Sequence, residues 1–507
     1  MEAPTGRITA RVAALPYWGK DALALGVGAV GSFGLAPYGF APLMVLSMFL
    51  SFLLFESVRR PQSAFRLGWV LGFAYFGLSL SWIIEPFQVD AAQHAWMAPF
   101  ALFFLAGGLA LFWGGAFALA RWCSGRLVPL VFAWPLGEMA RAYVLTGFPW
   151  ASPPQAMIDG LGGQFLSIGG PHGLMLAMAF AVYWLAVPGR NNIIAVIQIV
   201  SAISLTALIM IPPVFRDGPA TKATIRIVQP NAPQDEKWDP EKIPVFLERQ
   251  LEFTAAEGSP DLVLWPETAL PYLVEYADSV FGRMADASNG APIVVGIQRR
   301  EGDDYYNGLV VLDEVGAVSA SYDKHHLVPF GEYMPAEWLF RRINVGGLAA
   351  RAEGGYASGP GPRVLDLGPV GRALPLICYE AVFAHEVNNA PSRPDFLMQL
   401  TNDAWFGDFA GPQQHLSQAR MRAIEQGLPM VRSANTGISA MIDPYGRVLK
   451  SLPLNTSGYI DARLPRPNPK TPYAIAGDLP WLGIMLFGLT VLRLRSRQNF
   501  GFKMRLT

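Results

Sequence analysis

Apolar residues gather in long runs toward both ends of this chain and in short, alternating runs between them. The long runs lie near residues 21–37, 41–57, 67–84, 97–119, 128–145, 165–187, 193–213 and 478–492. A bilayer core of about 30 Å is crossed by about 20 mostly apolar residues in a helix. The pattern therefore predicts eight spans, seven ahead of a polar stretch and one after it. The sixth run is the weakest, because Gly169-Gly170-Pro171-His172-Gly173 interrupts it. No small-residue cleavage site accompanies the first run, so it reads as the start of a series of spans, not as a removable leader.

Loop charges give these spans a direction. With the N-terminus inside, the inner segments carry Arg7, Arg11 and Lys20; Arg59, Arg60 and Arg66; Arg121 and Arg126; Arg190; and Arg493, Arg495, Arg497, Lys503 and Arg505. The short outer loops near 38–40, 85–96 and 146–164 carry no Lys or Arg. This is the positive-inside bias, and it requires the interrupted sixth run to count as a span, since Arg190 would otherwise lie outside. The expected organisation is a membrane region over 1–217, an outward-facing catalytic domain over 218–475, and an eighth span with a basic tail over 476–507. In the fifth run Glu138 and Arg141 share one helix face. Charges within a span point to function by default; the plainer alternative has Arg141 near the outer end, extending to the headgroups.

The polar stretch from about 222 to 465 has a different rhythm. Ala223–Gln229, Asp261–Trp265, Pro292–Gln298, Ala373–Cys378 and Phe396–Thr401 read as strands. Val245–Gly258 reads as an amphipathic helix with Phe246, Leu247, Leu251 and Phe253 on its apolar side, and further helices are expected near Glu380–Asn388 and Gln413–Glu425. Leu309–Asp313 and Ala317–Tyr322 flank Glu314-Val315-Gly316, and Ile438–Asp443 and Arg447–Ser451 flank Pro444-Tyr445-Gly446; both are hairpin signals. Alternating strands and helices predict a layered α/β domain.

Composition agrees with this division. Hydrophobic residues make up 52% and charged residues 15%, with mean hydropathy +0.28, which is the balance of a membrane protein. The net charge is +0, so nothing points to nucleic acid as a partner. The two cysteines, Cys123 and Cys378, fall on opposite sides of the predicted membrane and cannot pair. Cys123 is expected in an inner loop. Cys378 is left as a reactive thiol on the outer side.

Reactive groups in open α/β sheets collect at the carboxyl ends of strands. Glu267, Lys324, Cys378 and the Asn402-Asp403 pair all follow predicted strands. A thiolate attacks an ester or amide carbonyl and leaves a thioester that an amine can open. Glu267 is the candidate base, with Trp265 and Pro266 as apolar cover, and Lys324 suits the oxyanion. A helix beginning after Cys378 is expected to lower the thiol's pKa. The membrane spans suggest that the acyl group comes from a lipid. The histidines show no His-Glu-x-x-His spacing and no phosphate-binding glycine loop is present, so neither metal nor cofactor is expected.

Four segments together resemble the nitrilase superfamily: Trp265-Pro266-Glu267-Thr268, the run from Asp323 to Glu332, Cys378-Tyr379-Glu380, and the run from Thr401 to Gly407. Joined to the membrane frame, the whole chain resembles that superfamily's membrane-embedded branch, the apolipoprotein N-acyltransferases. The resemblance implies an α-β-β-α sandwich with Glu267 as base, Lys324 as oxyanion stabiliser and Cys378 as nucleophile. It also implies that Glu332 supports the lysine, that Tyr379 and Glu380 flank the nucleophile, and that Trp238 is a functional residue on a loop near the site, with Trp405 beside it at the cleft mouth. The implied reaction is ping-pong. A phospholipid, typically phosphatidylethanolamine, gives an acyl chain to Cys378, and the α-amino group of a diacylglyceryl apolipoprotein takes it. The implied setting is the bacterial inner membrane with the catalytic domain on the periplasmic face, in a monomeric chain.

One further segment bears on access. Trp338, Leu339 and Phe340 stand beside Arg341 and Arg342, and apolar and aromatic residues next to paired arginines suit a membrane interface. An ordinary surface helix packed on the domain core has the same pattern. The loop 341–362 carries no motif. Two rival functions share much of this sequence: a membrane-tethered amidase acting on a soluble substrate, and a transporter or scaffold bearing an inactive domain.

Overall fold

The computed structural model describes residues 10–187, 192–214, 218, 220–335 and 355–504. It divides into two compact units: Met1–Ser81 with Pro99–Val214 and Pro472–Thr507, and Trp82–Ala98 with Phe215–Thr471.

The first unit is helical. Its helices are α1 (Tyr17–Ser32), α2 (Ala41–Glu56), α3 (Pro61–Ser79), α4 (Ala98–Cys123), α5 (Val128–Tyr143), α6 (Leu166–Ala186), α7 (Asn192–Met210) and a C-terminal helix, Leu479–Met504. Among the described residues, four helices are long and apolar enough to cross a membrane: Ala91–Cys123, Leu161–Ala186, Asn192–Met210 and Leu479–Gln498. A fifth arises if α3 and the turn Ser81–Gln88, bent by 47°, count as one. The apolar surface of α7, including Ile193, Val196 and Ile203, is exposed, whereas α6 is largely enclosed. A contiguous apolar face of that kind suits lipid, not water.

The break foreseen in the sixth run is a kink. Gly170 has φ 59° and ψ −166°, a region that is essentially glycine's alone. A Cβ there would lie 2.1 Å from Cε2 of Tyr473. Glu138 and Arg141, by contrast, are both buried. Arg141 does not extend to headgroups: its Nη2 donates to Glu138 Oε2 at 2.6 Å, and its Nη1 donates to the carbonyl oxygens of Trp150, at 2.7 Å, and Phe148. Trp113 Nε1 donates to Glu138 Oε1 at 2.6 Å. The pair is a satisfied buried ion pair that pins the turn after α5. Cys123 also departs from the loop expected for it; it is the buried last residue of α4.

The second unit contains two six-stranded sheets, ordered β12-β1-β2-β3-β4-β5 and β11-β10-β9-β8-β7-β6. The strands are β1 (Ala220–Gln229), β2 (Leu262–Leu264), β3 (Ile293–Glu301), β4 (Asp304–Leu312), β5 (Val318–Asp323), β6 (Leu365–Asp366), β7 (Arg372–Ile377), β8 (Phe396–Thr401), β9 (Met430–Ala434), β10 (Ser439–Ile442), β11 (Val448–Leu452) and β12 (Gly458–Pro465). In each sheet three neighbouring strands run parallel, β1-β2-β3 and β7-β8-β9. Both predicted hairpins form, as β4-β5 and β10-β11.

Strand alternation builds the layers. Ile225, Ile227, Leu262 and Leu264 of one sheet share an apolar cluster with Ile377, Met398, Leu400 and Val431 of the other. The residues between them face outward. Val228 and Val263 pack with Leu247 and Leu251 of α8 (Ile243–Ala255) and with Phe281 and Met284 of α9 (Asp278–Ser288). Leu374, Leu376 and Leu397 pack with Ala419 and Ala423 of α10 (Gly411–Gln426). The result is the expected α-β-β-α sandwich. The segment Trp82–Ala98 belongs to this unit: Trp82 meets Phe406 edge-on at 4.8 Å.

Gly170→Ala is expected to lower stability by about 2 kcal/mol or more, from the forbidden backbone region together with the clash. Thermal unfolding in detergent measures it. An unchanged melting temperature would show that the Tyr473 ring can move aside.

Candidate active site

Four loops at strand ends bring the polar groups together. Glu267 follows β2, Lys324 directly follows β5, Cys378 directly follows β7, and Asn402 directly follows β8. Cys378 has φ 49°, a left-handed conformation unfavourable for a side chain with a Cβ. The surroundings hold it there. Glu380 Oε2 accepts from Ile377 N at 2.6 Å, while Oε1 accepts from Tyr322 Oη and from His325 N, each at 2.8 Å. The buried carboxylate of Glu380 thus ties the Cys378 turn to the end of β5, just past Lys324.

Lys324 is buried between two carboxylates. Its Nζ lies 2.8 Å from Glu332 Oε2 and 3.8 Å from Glu267 Oε1. Asn307, on β4, donates through Nδ2 to Glu267 Oε1 at 2.8 Å and to Glu332 Oε1 at 2.9 Å. The remaining oxygens are satisfied by backbone: Asn402 N donates to Glu267 Oε2 and Val328 N to Glu332 Oε2, each at 2.8 Å. Burial pulls the Lys324 ammonium down, but Glu332 and then Glu267 outweigh it, so the amine stays protonated well above its ordinary range.

The thiol responds in the opposite direction. Burial, and then the Glu267 charge, push Cys378 above the ordinary thiol range, and Lys324 offsets this only in part. The lowering expected from a helix start does not prevail over that burial, and the element that begins at Cys378 is a five-residue 3-10 turn, Cys378–Val382. At rest the site therefore holds a neutral thiol and a charged lysine.

Beside Glu267 lies a narrow cleft lined by Lys237, Trp238, Phe246, Thr268 and Asn435 among others. Trp238 is thus near the site, as expected. Cys378 does not line this cleft, whereas Pro266 and Thr268, on either side of Glu267, do. Trp405 is half-buried in the turn after β8 and does not line it either. Asn402 is buried beneath, donating from Nδ2 to Gln234 Oε1 and accepting from Asn435 Nδ2, each at 2.8 Å. Tyr379 is buried and meets Phe383 edge-on at 4.9 Å. Trp338, Leu339 and Phe340 lie outside the described residues. The loop 341–362 is described from Gly355 onward, and its backbone closes on the site: Tyr356 N donates to Glu332 O and Gly359 N to Lys324 O, each at 2.8 Å.

Several buried or half-buried polar neighbours of these groups have partners that the sequence does not reveal. Asn307 is one, a lone polar residue inside an apolar strand. Lys237 is another; its buried ammonium donates to Thr268 Oγ1 at 2.8 Å and to the Glu267 carbonyl at 3.3 Å. Burial lowers it to about 8, against a weaker upward pull from Glu267. His325 lies between Glu380 and Glu386; burial works against its charge, yet bonding to both carboxylates raises it to about 9. Among the described residues, no cluster of His, Cys, Asp or Glu could hold a metal ion.

Paired sheets between helices, with carboxylate, amine and thiol at strand ends, form the frame of a carbon-nitrogen hydrolase domain, and residues 224–468 match the family model of that description. Residues 27–184 match the model described as the apolipoprotein N-acyltransferase N-terminal domain. The apolipoprotein N-acyltransferase of Caulobacter vibrioides is 38% identical over 509 residues, spanning 94% of this chain and 95% of its own. That of Rhodopseudomonas palustris is 34% identical over 518 residues, spanning 95% and 96%. The chain belongs to the apolipoprotein N-acyltransferase family. With its long apolar helices it is an integral membrane protein.

The buried charge of Lys237 makes a prediction about pH. Its folded value, about 8, lies below the ordinary 10.5 of a lysine. Between these values the unfolded chain holds a proton that the folded one has released, so stability rises with pH across that window. At pH 7 the charge costs up to about 3 kcal/mol. Relative to wild type, Lys237→Met should therefore be most favourable near neutrality and lose its advantage as pH climbs from about 8 toward about 10.5. Melting temperatures of the two proteins across this range test it; a difference independent of pH would mean that the amine carries no buried charge.

Proposed function

We propose that this protein transfers a fatty acyl chain from a phospholipid, phosphatidylethanolamine being the typical donor, to the α-amino group of the S-diacylglyceryl cysteine at the N-terminus of an apolipoprotein. The observation that carries this reading is the buried Lys324 between Glu267 and Glu332, beside a thiol held on a strained turn. It is supported by membership of the acyltransferase family and by helices suited to lipid.

In the first half-reaction Glu267 takes the Cys378 proton as the sulfur attacks the ester carbonyl. Lys324 stabilises the oxyanion from its fixed position. Collapse expels the lysophospholipid alkoxide, which recovers the proton from Glu267, and leaves a thioester. In the second half the lipoprotein amine attacks the thioester, Glu267 receives its proton, and the departing thiolate takes that proton back. Glu332 acts by holding Lys324, while Tyr379 and Glu380 hold the nucleophile's turn. Trp238 is assigned to the cleft, with Asn402 behind it, and Trp338, Leu339 and Phe340 to the bilayer interface. Both substrates are anchored in the membrane, so the lipid bilayer is itself a partner.

The organisation that goes with this function has seven spans within 1–217, a catalytic domain over 218–475 and an eighth span within 476–507. The basic loops face the cytoplasm, and the catalytic domain faces the periplasm from the inner membrane. Reporter fusions test this arrangement: one after residue 217 should read as outside and one at residue 190 as inside. Reversed signals would place the site in the cytoplasm, away from lipoprotein N-termini.

Incubation with labelled phospholipid tests the chemistry. Wild type should accumulate a hydroxylamine-labile acyl-enzyme, and Cys378→Ser should form neither thioester nor product. Glu267→Gln should slow acylation without weakening lipid binding, and Lys324→Met should slow it by about 10²–10³-fold. Near-normal turnover by Cys378→Ser would sink the covalent mechanism. An acyl-enzyme formed only from a soluble amide would favour the membrane-tethered amidase.

A further inference from the structure

Behind the Cys378 turn lies a second buried polar network, separate from the Glu267-Lys324-Glu332 set. Gln399, on β8, donates from Nε2 to the Cys378 carbonyl oxygen at 3.2 Å. The same nitrogen lies 3.1 Å from His415 Nε2, on α10, and that ring nitrogen also lies 3.1 Å from the Cys378 carbonyl oxygen. His415 Nδ1 lies 2.8 Å from Asp403 Oδ1. Arg432, the partner of Gln399 on β9, donates from Nη1 to Gln399 Oε1 and from Nη2 to Asp403 Oδ2, each at 2.5 Å. All four side chains are fully buried.

The Asp403 contact selects the tautomer of His415. A carboxylate at Nδ1 needs an N–H there, so His415 carries its proton on Nδ1 and presents a lone pair at Nε2. Burial favours that neutral ring, holding His415 below the ordinary histidine value against the pull of Asp403. The lone pair accepts one hydrogen of the Gln399 amide, and the other goes to the Cys378 carbonyl. Arg432 fixes which end of the Gln399 amide is nitrogen. Every donor then meets an acceptor.

The Cys378 carbonyl and the Tyr379 N–H belong to one planar trans peptide unit and point in opposite directions. Fixing the carbonyl from behind fixes where that N–H points. We propose that Gln399 is a positioning residue for acyl transfer: aligned by Asp403, His415 and Arg432, it sets the peptide plane after the nucleophile and thereby aims the Tyr379 N–H at the developing oxyanion alongside Lys324. This rests on Cys378 as nucleophile.

The test separates oxyanion geometry from thiol reactivity and from folding. Thioester formation from phospholipid passes through an oxyanion; alkylation of Cys378 by iodoacetamide does not. Both rates are measured on the full-length protein in detergent, with modification read by mass spectrometry on the Cys378 peptide, for wild type, Gln399→Glu and His415→Gln. Gln399→Glu keeps the shape and the bond to Arg432 but sets an oxygen against the carbonyl. It should slow acylation by about 10²-fold, the scale of one lost oxyanion donor, while alkylation stays within about threefold. His415→Gln, which can still accept from Gln399, should retain more acylation than Gln399→Glu. Acylation by Gln399→Glu within threefold of wild type overturns the proposal, and so does a parallel fall in alkylation, which marks a merely structural role. A wild-type protein that alkylates but never forms a thioester overturns the assignment of Cys378, and this inference with it.

Discussion

The catalytic unit is organised around one buried cation. Taking the Lys324 ammonium out of water carries a penalty of several kcal/mol. A single carboxylate near 4 Å returns about 4 kcal/mol at the dielectric typical of such sites, so one partner barely balances the loss. Two partners, Glu332 in direct contact and Glu267 at 3.8 Å, hold the charge in place. The balance leaves the cluster with one net negative charge. Burial above all, and then the Glu267 charge, holds the neighbouring Cys378 thiol above its ordinary range. The same arrangement keeps Lys324 charged.

That cation is placed by elements from both sheets. Glu267, Asn307 and Lys324 come from the first, Cys378 and Asn402 from the second. The site is therefore only as well formed as the packing between them, which is the apolar layer joining Ile225 and Leu264 to Ile377 and Met398. Glu380 adds a polar tie across the same seam, bonding Ile377 on one side and Tyr322 and His325 on the other.

Much of this was legible in the sequence, for a physical reason: the residues at strand ends follow runs whose alternation is plain. Ile225 and Ile227 face inward and Val228 outward, and the loop after such a strand is placed before any contact is known. The omissions share a cause as well. Strand β9, with Met430, Val431, Arg432, Ser433 and Ala434, breaks its apolar pattern with a buried arginine that only Gln399 and Asp403 explain. Strand β12 mixes Asp461 and Arg463 into its length, and α9 is short and weakly apolar. Asn307 and Lys237 were invisible because a polar residue in a strand or loop gains meaning only from partners distant in sequence. Arg141 was misjudged for the same reason: the carbonyls of Phe148 and Trp150 that receive it cannot be seen in a helical pattern.

The backbone bonds from Tyr356 to Glu332 and from Gly359 to Lys324 have an evolutionary consequence. They bring Tyr356 and Gly359 back to Glu332 and Lys324, so the described chain from Gly355 onward is anchored at the site. The entropy of closing such a loop grows only logarithmically with its length, about 0.6 kcal/mol for each doubling. The length of chain between these anchors can therefore change at little entropic cost, while the carboxylates around Lys324 stay held by a buried charge.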